Sequence, residues 1–260
     1  MNKISIVNRT FFLIIYLGFF CLHVKPNDVY ILKPKKDIII GLTALCAATP
    51  SIIFNGTAEE LKSKESINWF DRNTIYSYNK KIDNISTALT YGTLIMPGIS
   101  IFPRFNEFNN VLTYGVMFSE AFLFTMATKN FMKLAIPRNR PYTYIAEIPS
   151  GEKDDYFNSF PSGHAAYAFM GATFLTTTFL KEYTQNKWKI LLIASGYSLA
   201  SGISIMRVTS GNHFITDVIA GGAIGSFYGW FIPKLHEKKN NNSKLTFIPG
   251  GNMIYISYTF

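Results

Sequence analysis

Apolar residues in this chain gather in long blocks separated by short polar stretches, the pattern of helices that are buried or cross a bilayer. Six blocks run Ile38–Phe54, Ser86–Phe102, Val111–Leu134, Ala165–Leu180, Trp188–Met206 and Phe214–Pro233. Most approach the ~20 residues a helix needs to span a membrane. The first is short and carries Pro50, which leaves its crossing open. A further apolar run, Phe11–Leu22, follows Lys3 and Arg9 and reads as a signal peptide or a retained anchor. The chain divides accordingly into an N-terminal segment 1–24, a helical domain 25–236 and a polar tail 237–260. Between the first two blocks, the polar segment Asn55–Asn84 reads as a solvated loop or an interfacial helix bearing Tyr76 and Tyr78. In the tail, two short alternating runs flank Pro249-Gly250-Gly251-Asn252 and predict a hairpin. The expected fold is an all-α, membrane-embedded bundle of about six helices. A polar loop follows the first helix, and the chain closes on a short β-hairpin-like tail.

Composition sharpens this. Hydrophobic residues make up 48% and charged residues 16%, against about 25% charged in soluble domains. A mean hydropathy of +0.14 requires sizeable polar loops. The net charge of +9 suits anionic head groups or phosphates. No nucleic-acid partner is expected, because no dense Lys/Arg stripe interleaves with aromatics. Cys21 and Cys46 lie inside apolar runs and form neither a disulfide framework nor a zinc spacing. Glu120, within the third block, must face the bundle interior or a polar cavity. Small residues (Gly196, Ser198 and Gly202, then Gly221, Gly222, Gly225 and Gly229) equip the last two blocks for close helix approach.

Polar residues that sit poorly beside membrane helices cluster in three places. Lys133-Leu-Ala-Ile-Pro-Arg-Asn-Arg140-Pro141 ends the third block, Pro161-Ser162-Gly163-His164 opens the fourth, and Arg207 through His213 to Asp217 bridges the last two. Lys133, Arg140 and Arg207 suit a phosphate dianion, which takes guanidinium forks and a point charge. Each taken singly also fits interfacial snorkelling. Ser162 is a good N-cap, and Gly163 leaves its amide open at a helix N-terminus, where oxyanions bind. His213 and Asp217 stand four apart and share a helix face. That spacing fits either an oriented nucleophilic imidazole or a structural capping pair. Metal ligation is the weaker reading, since no metal-binding spacing is present. The first cluster follows block three and the second precedes block four. Blocks four and five cross out and back, so all three clusters share one side.

These residues resemble the type 2 phosphatidic acid phosphatase superfamily, whose signature is K-x6-R-P, then P-S-G-H, then S-R-x5-H-x3-D. Here it reads Lys133…Arg140-Pro141, Pro161-Ser162-Gly163-His164 and Arg207…His213…Asp217. One position departs: Met206 replaces the serine before the third-motif arginine, with Ser204 or Thr209 as candidate substitutes. The resemblance implies a phosphatase domain over 25–236 and roles residue by residue. His213 is the nucleophile, Asp217 orients it, and His164 is the acid and then the base. Lys133, Arg140, Ser162, Gly163 and Arg207 hold the phosphate. It implies no metal or other cofactor, because the cations take that part. The implied substrate is a lipid phosphate in the bilayer: phosphatidic acid, phosphatidylglycerol phosphate, undecaprenyl pyrophosphate or a lipid A phosphate. A secreted soluble acid phosphatase of the same superfamily, a vanadate-dependent haloperoxidase and a non-enzymatic transporter are the alternatives.

If all six blocks span, the non-catalytic side keeps twelve Lys and Arg residues and the catalytic side seven, apart from the motif cations. The positive-inside rule then turns the site away from the cytoplasm, toward the periplasm of a bacterial-type inner membrane. A cleaved signal would invert this.

Overall fold

In the computed structural model, the structure describes residues 28–53, 67–145, 155–185, 188–238, 244–250 and 253–259. The segment 1–24, with its signal or anchor, lies outside them. Among the described residues there are six long helices: α1 (Pro34–Ile53), α2 (Lys80–Ile95), α3 (Phe108–Ala135), α4 (Gly163–Glu182), α5 (Lys189–Thr209) and α6 (Ile215–His236). Strands β1 (Lys244–Gly250) and β2 (Met253–Thr259) form the antiparallel hairpin the tail predicts, pairing Gly250 with Met253. The fold is the expected all-α bundle.

Local chemistry shifts some boundaries. The α2 helix starts ahead of its apolar block because the Asn79 side chain caps it, accepting from the amides of Lys81 and Ile82 at 3.1 Å. After α2, Pro97 lacks an N–H to continue the ladder. The chain re-forms a single turn, Gly98–Ile101, and then a 3-10 turn, Phe102–Arg104. The segment 67–79 is a loop with one 3-10 turn, Arg72–Thr74, rather than an interfacial helix. Trp69 is exposed there, while Asp71 is fully buried.

Among the described residues, four stretches are long and apolar enough to cross a membrane: Lys80–Arg104, Phe108–Ala135, Lys189–Thr209 and Ile215–His236. They make this a membrane protein and set aside the soluble alternative. The α4 helix is not among them because it runs through the middle of the bundle, packed by α2, α3, α5 and α6. It therefore carries polar groups that lipid would penalise. Thr176, Thr177 and Thr178 bond back to the carbonyls of Ala172, Thr173 and Phe174 at 2.8–2.9 Å. The α1 helix lies along α3 and keeps Ile38, Ile39, Leu42 and Leu45 on its exposed face.

Between helices in lipid the hydrophobic effect offers little, and close packing decides association. The α6 helix meets α4 along Gly221, Gly225 and Gly229, whose missing Cβ atoms make room for the carbonyls of Ser162, Ala166 and Met170. Gly171 similarly lets α4 approach the Thr93 carbonyl of α2. Larger side chains fill the remaining space, among them Met117, Met170, Phe174 and Ile232, all fully buried. At the end of α6, Glu120 is buried as expected, 3.4 Å from His236 Nε2, which also lies 3.3 Å from Asp37. The backbone of Ile31 pairs with the His236 carbonyl there, so α1 starts at the end where α6 finishes.

Candidate active site

At the opposite end, the N-termini of α2, α4 and α6 meet the C-termini of α3 and α5. They enclose a cavity of about 190 Å³ lined by Lys129, Lys133, Arg140, Asp155, Gly163, His164, Tyr167, Arg207 and His213. The three clusters that the sequence leaves far apart thus converge on one cavity. Ser162 and Asp217 lie just behind its wall, both fully buried.

Each cation is aimed by a specific neighbour. Lys133 Nζ donates to the Asn158 carbonyl at 2.7 Å. Arg140 donates from Nε to the Asp155 carbonyl at 3.0 Å and from Nη1 to Asn212 Oδ1 at 2.5 Å, and it pairs with the Asp155 carboxylate. Arg207 pairs with Asp83 of α2 and donates to Ser86 Oγ at 3.1 Å. The Ser162 hydroxyl caps α4, accepting from the Ala165 amide at 3.5 Å, and Gly163 follows it into the cavity wall. Ser204 and Thr209 do not stand in for the serine that Met206 replaces. Their hydroxyls donate to the Ala200 and Met206 carbonyls, and neither lines the cavity.

His213 is held differently from the His–Asp pair that the spacing suggests. Its Nδ1 lies 2.7 Å from the Ser159 carbonyl and 3.7 Å from Asp217 Oδ2. A carbonyl only accepts, so Nδ1 carries the hydrogen and Nε2 keeps its lone pair. Burial pushes the His213 pKa well below the usual histidine range, and Arg140, Arg207 and Lys133 push it further, so the ring stays neutral. Asp217 acts one step back. Its Oδ2 accepts from Ser159 Oγ at 2.6 Å and from the Phe214 amide at 2.8 Å, the latter capping α6. The orienting contact is therefore a backbone carbonyl, and the carboxylate fixes the residue that supplies it. His164 Nε2 meets Thr87 Oγ1 of α2 at 2.9 Å.

A second layer escapes motif reading. Arg138 bridges two fully buried carboxylates, Asp217 Oδ1 at 2.5 Å and Asp71 Oδ2 at 2.7 Å, with its guanidinium 4.1 Å from the Phe214 ring centroid. Thr216 donates from its hydroxyl to Asp71 Oδ2 at 2.6 Å. Burial alone would raise the Asp71 pKa, but bonds from Arg138, Thr216 and Asn68 outweigh it and hold the carboxyl below its ordinary value. Gly211 completes the tie between loops at φ 75°, with space for a Cβ closed by the Tyr76 and Ser77 carbonyls at 2.5 and 2.8 Å. Asp71 carries little local signal: apart from Asn68, its side-chain partners Arg138 and Thr216 lie 67 and 145 residues away. Lys129 did carry one: it sits one helical turn before Lys133 and shares its face.

Arg138→Met leaves both carboxylates buried without their guanidinium. Losing one member of a buried ion pair costs about 3–5 kcal/mol. The variant is expected to melt earlier in detergent, and Asp71→Asn in the same background to recover part of the loss. Additive losses in that double-mutant cycle would show that the two residues are not coupled.

Fold and pocket together define a helical integral-membrane protein built around a cavity lined by cations and two histidines. Residues 114–241 match the model of the PAP2 superfamily. It is similar to a PA-phosphatase related-family protein of Dictyostelium discoideum, with 31% identity over 44% of this chain and 45% of that protein. It is also similar to a lipid A 1-phosphatase of Porphyromonas gingivalis, with 29% identity over 77% of this chain and 39% of that one. The chain thus spans less than half the length of these relatives. Among solved structures it is similar to a transmembrane PAP2 type phosphatidylglycerolphosphate phosphatase from Bacillus subtilis, with 19% identity, 77% of this chain and 95% of that chain covered, and a TM-score of 0.46.

Proposed function

We propose that this protein is a lipid phosphatase that hydrolyses a phosphate monoester or pyrophosphate of a membrane lipid through a phosphohistidine on His213. One observation carries the reading. A neutral imidazole with its Nε2 lone pair free, the cations Lys133, Arg140 and Arg207, the start of α4 and a second histidine all line one cavity. Two relatives bear phosphatase names, which supports the class.

His213 Nε2 attacks phosphorus in line, forming the N–P bond as the P–O bond to the lipid breaks. His164 gives its proton to the leaving oxygen, exchanging its Thr87 contact for that oxygen. Lys133, Arg140, Arg207 and the Gly163 amide hold the equatorial oxygens, where charge must be stabilised in the transition state. The Ser162 hydroxyl supports the turn that presents that amide. His164 then takes a proton from water, whose oxygen attacks phosphorus and breaks the N–P bond, releasing inorganic phosphate and neutral His213. Asp217 serves through Ser159 rather than by direct contact. The cations supply the charge a metal would bring, so no metal enters a step.

The test is phosphate release by purified protein from a panel of lipid phosphates, with His213→Ala as control. Absence of release from every lipid, or full activity in that variant, overturns the reading.

The charge bias supports a catalytic end facing the periplasm or exterior of a bacterial-type inner membrane. Lys80 and Lys81 lie at the catalytic end of α2, while Lys181 and Lys234 lie at the opposite end. In a variant without Cys21 and Cys46, a cysteine at Lys80 is expected to react with an impermeant thiol reagent on intact cells and one at Lys181 only after lysis. The reverse pattern refutes this orientation.

A further inference from the structure

Resting on the lipid-phosphatase reading above, we infer that Lys129 is a specificity-determining residue that binds a second anionic group on the leaving-group side of the substrate, favouring a lipid diphosphate over a simple lipid monoester. The transferred phosphoryl group has three equatorial oxygens, and Lys133, Arg140, Arg207 and the Gly163 amide suffice for them. Lys129 is a fourth cation lining the same cavity. Its ammonium stands apart from the other three, over the Tyr167 ring beyond the start of α4.

Position says which part. Lys129 sits one turn before Lys133 on α3, about 6 Å further from the catalytic end along the helix axis. Its stem crosses the start of α4: a Cβ on Gly163 would stand 3.3 Å from Cδ and Cε of Lys129. Its ammonium lies 5.5 Å from the ring centroid of Tyr167, which is one turn along α4 from His164 and stacks on Phe122 at 4.9 Å. Moving from the phosphoryl cradle past the proton donor and into the bundle leads to Lys129, the direction in which a lipid leaving group must lie. Nζ donates to Asn130 Oδ1, and Asp155, the carboxylate that acts on it across the cavity, lies beyond ion-pairing distance and is already paired with Arg140. A cation set into the membrane part of a bundle is costly unless an anion meets it. In a lipid diphosphate the leaving group carries that anion, whereas a simple monoester leaves as a neutral alcohol once protonated.

The experiment compares kcat/KM for phosphate release from farnesyl diphosphate and from phosphatidic acid, in wild type, Lys129→Met and Lys129→Arg. Each ratio comes from a single preparation, so the folded fraction cancels. Lys129→Met is expected to lower the diphosphate-to-monoester ratio by about tenfold or more, the loss of a charge-assisted hydrogen bond. Lys129→Arg keeps the charge and is expected to hold the ratio within about threefold of wild type. An unchanged ratio in Lys129→Met overturns the inference, whether both activities fall together or neither does, while phosphatase activity itself still stands. No release from any lipid by the wild type would instead remove the phosphatase reading.

Discussion

Replacing His213 with alanine is expected to lower lipid phosphate release by about 10⁴-fold or more, because the other imidazole of the cavity, His164, serves as acid and base in the proposed mechanism. The imidazole is uniquely prepared. Ser159 fixes its hydrogen on Nδ1, burial and three cations keep it neutral, and its Nε2 lone pair remains free to attack. The variant also fails to trap label from a phosphate-labelled lipid when the reaction is quenched in alkali, where a phosphohistidine survives. EDTA is expected to leave the wild-type rate unchanged, because in the proposed mechanism side chains carry the charge. Label retained on the alanine variant would place the covalent step elsewhere, and inhibition by EDTA that added metal reverses would show that the cations do not suffice.

Gly225→Val is expected to cost about 3 kcal/mol or more and to remove activity with it, at the upper end of what overpacking inflicts. A Cβ at this position would collide with the Ala166 carbonyl oxygen, part of the α4 backbone rather than a movable side chain. The helices must separate, and the two histidines ride on that contact: His164 is the second residue of α4, and His213 lies two residues before α6. Gly202→Ala in α5 is the contrast. Its added methyl meets nothing within 4 Å, so the ordinary helical gain of about 0.5–1 kcal/mol over glycine should appear. Melting in detergent, followed alongside phosphate release, distinguishes the two. Equal behaviour of both variants would mean that the α4–α6 approach is not what holds the site together.

The sequence exposed those parts of the site that depend on residue type and local spacing. Lys133 to Arg140 and Ser162 to His164 each occupy a few consecutive residues at a helix end. Each cation alone fits interfacial snorkelling, and they could be read together because the three clusters fall on one side of the bundle. The same reasoning reached the cap at Ser162 and the inward-facing Glu120. It did not reach Asp71, Asp83, Asp155 or Ser159. Their effect depends on which distant arginine or histidine they meet, and a carboxylate in a polar loop looks the same whether solvated or buried. Asp217 shows the limit most clearly. Four-residue spacing brings it near His213, yet spacing alone cannot reveal that the Ser159 carbonyl reaches the ring first.

Sequence alone determined that six apolar blocks would become helices, that three charged clusters would share one end of the bundle, and that their residue types suit an oxyanion. Block length and helix periodicity are local properties, and the parity of crossings follows by counting. Tertiary structure decided how close the helices come, through glycines that admit a carbonyl where a side chain would stand. It also decided which partner fixes the His213 tautomer, and that Arg138 would lock two buried carboxylates from distant loops. Those outcomes depend on distances between segments far apart in the chain, which no local pattern encodes.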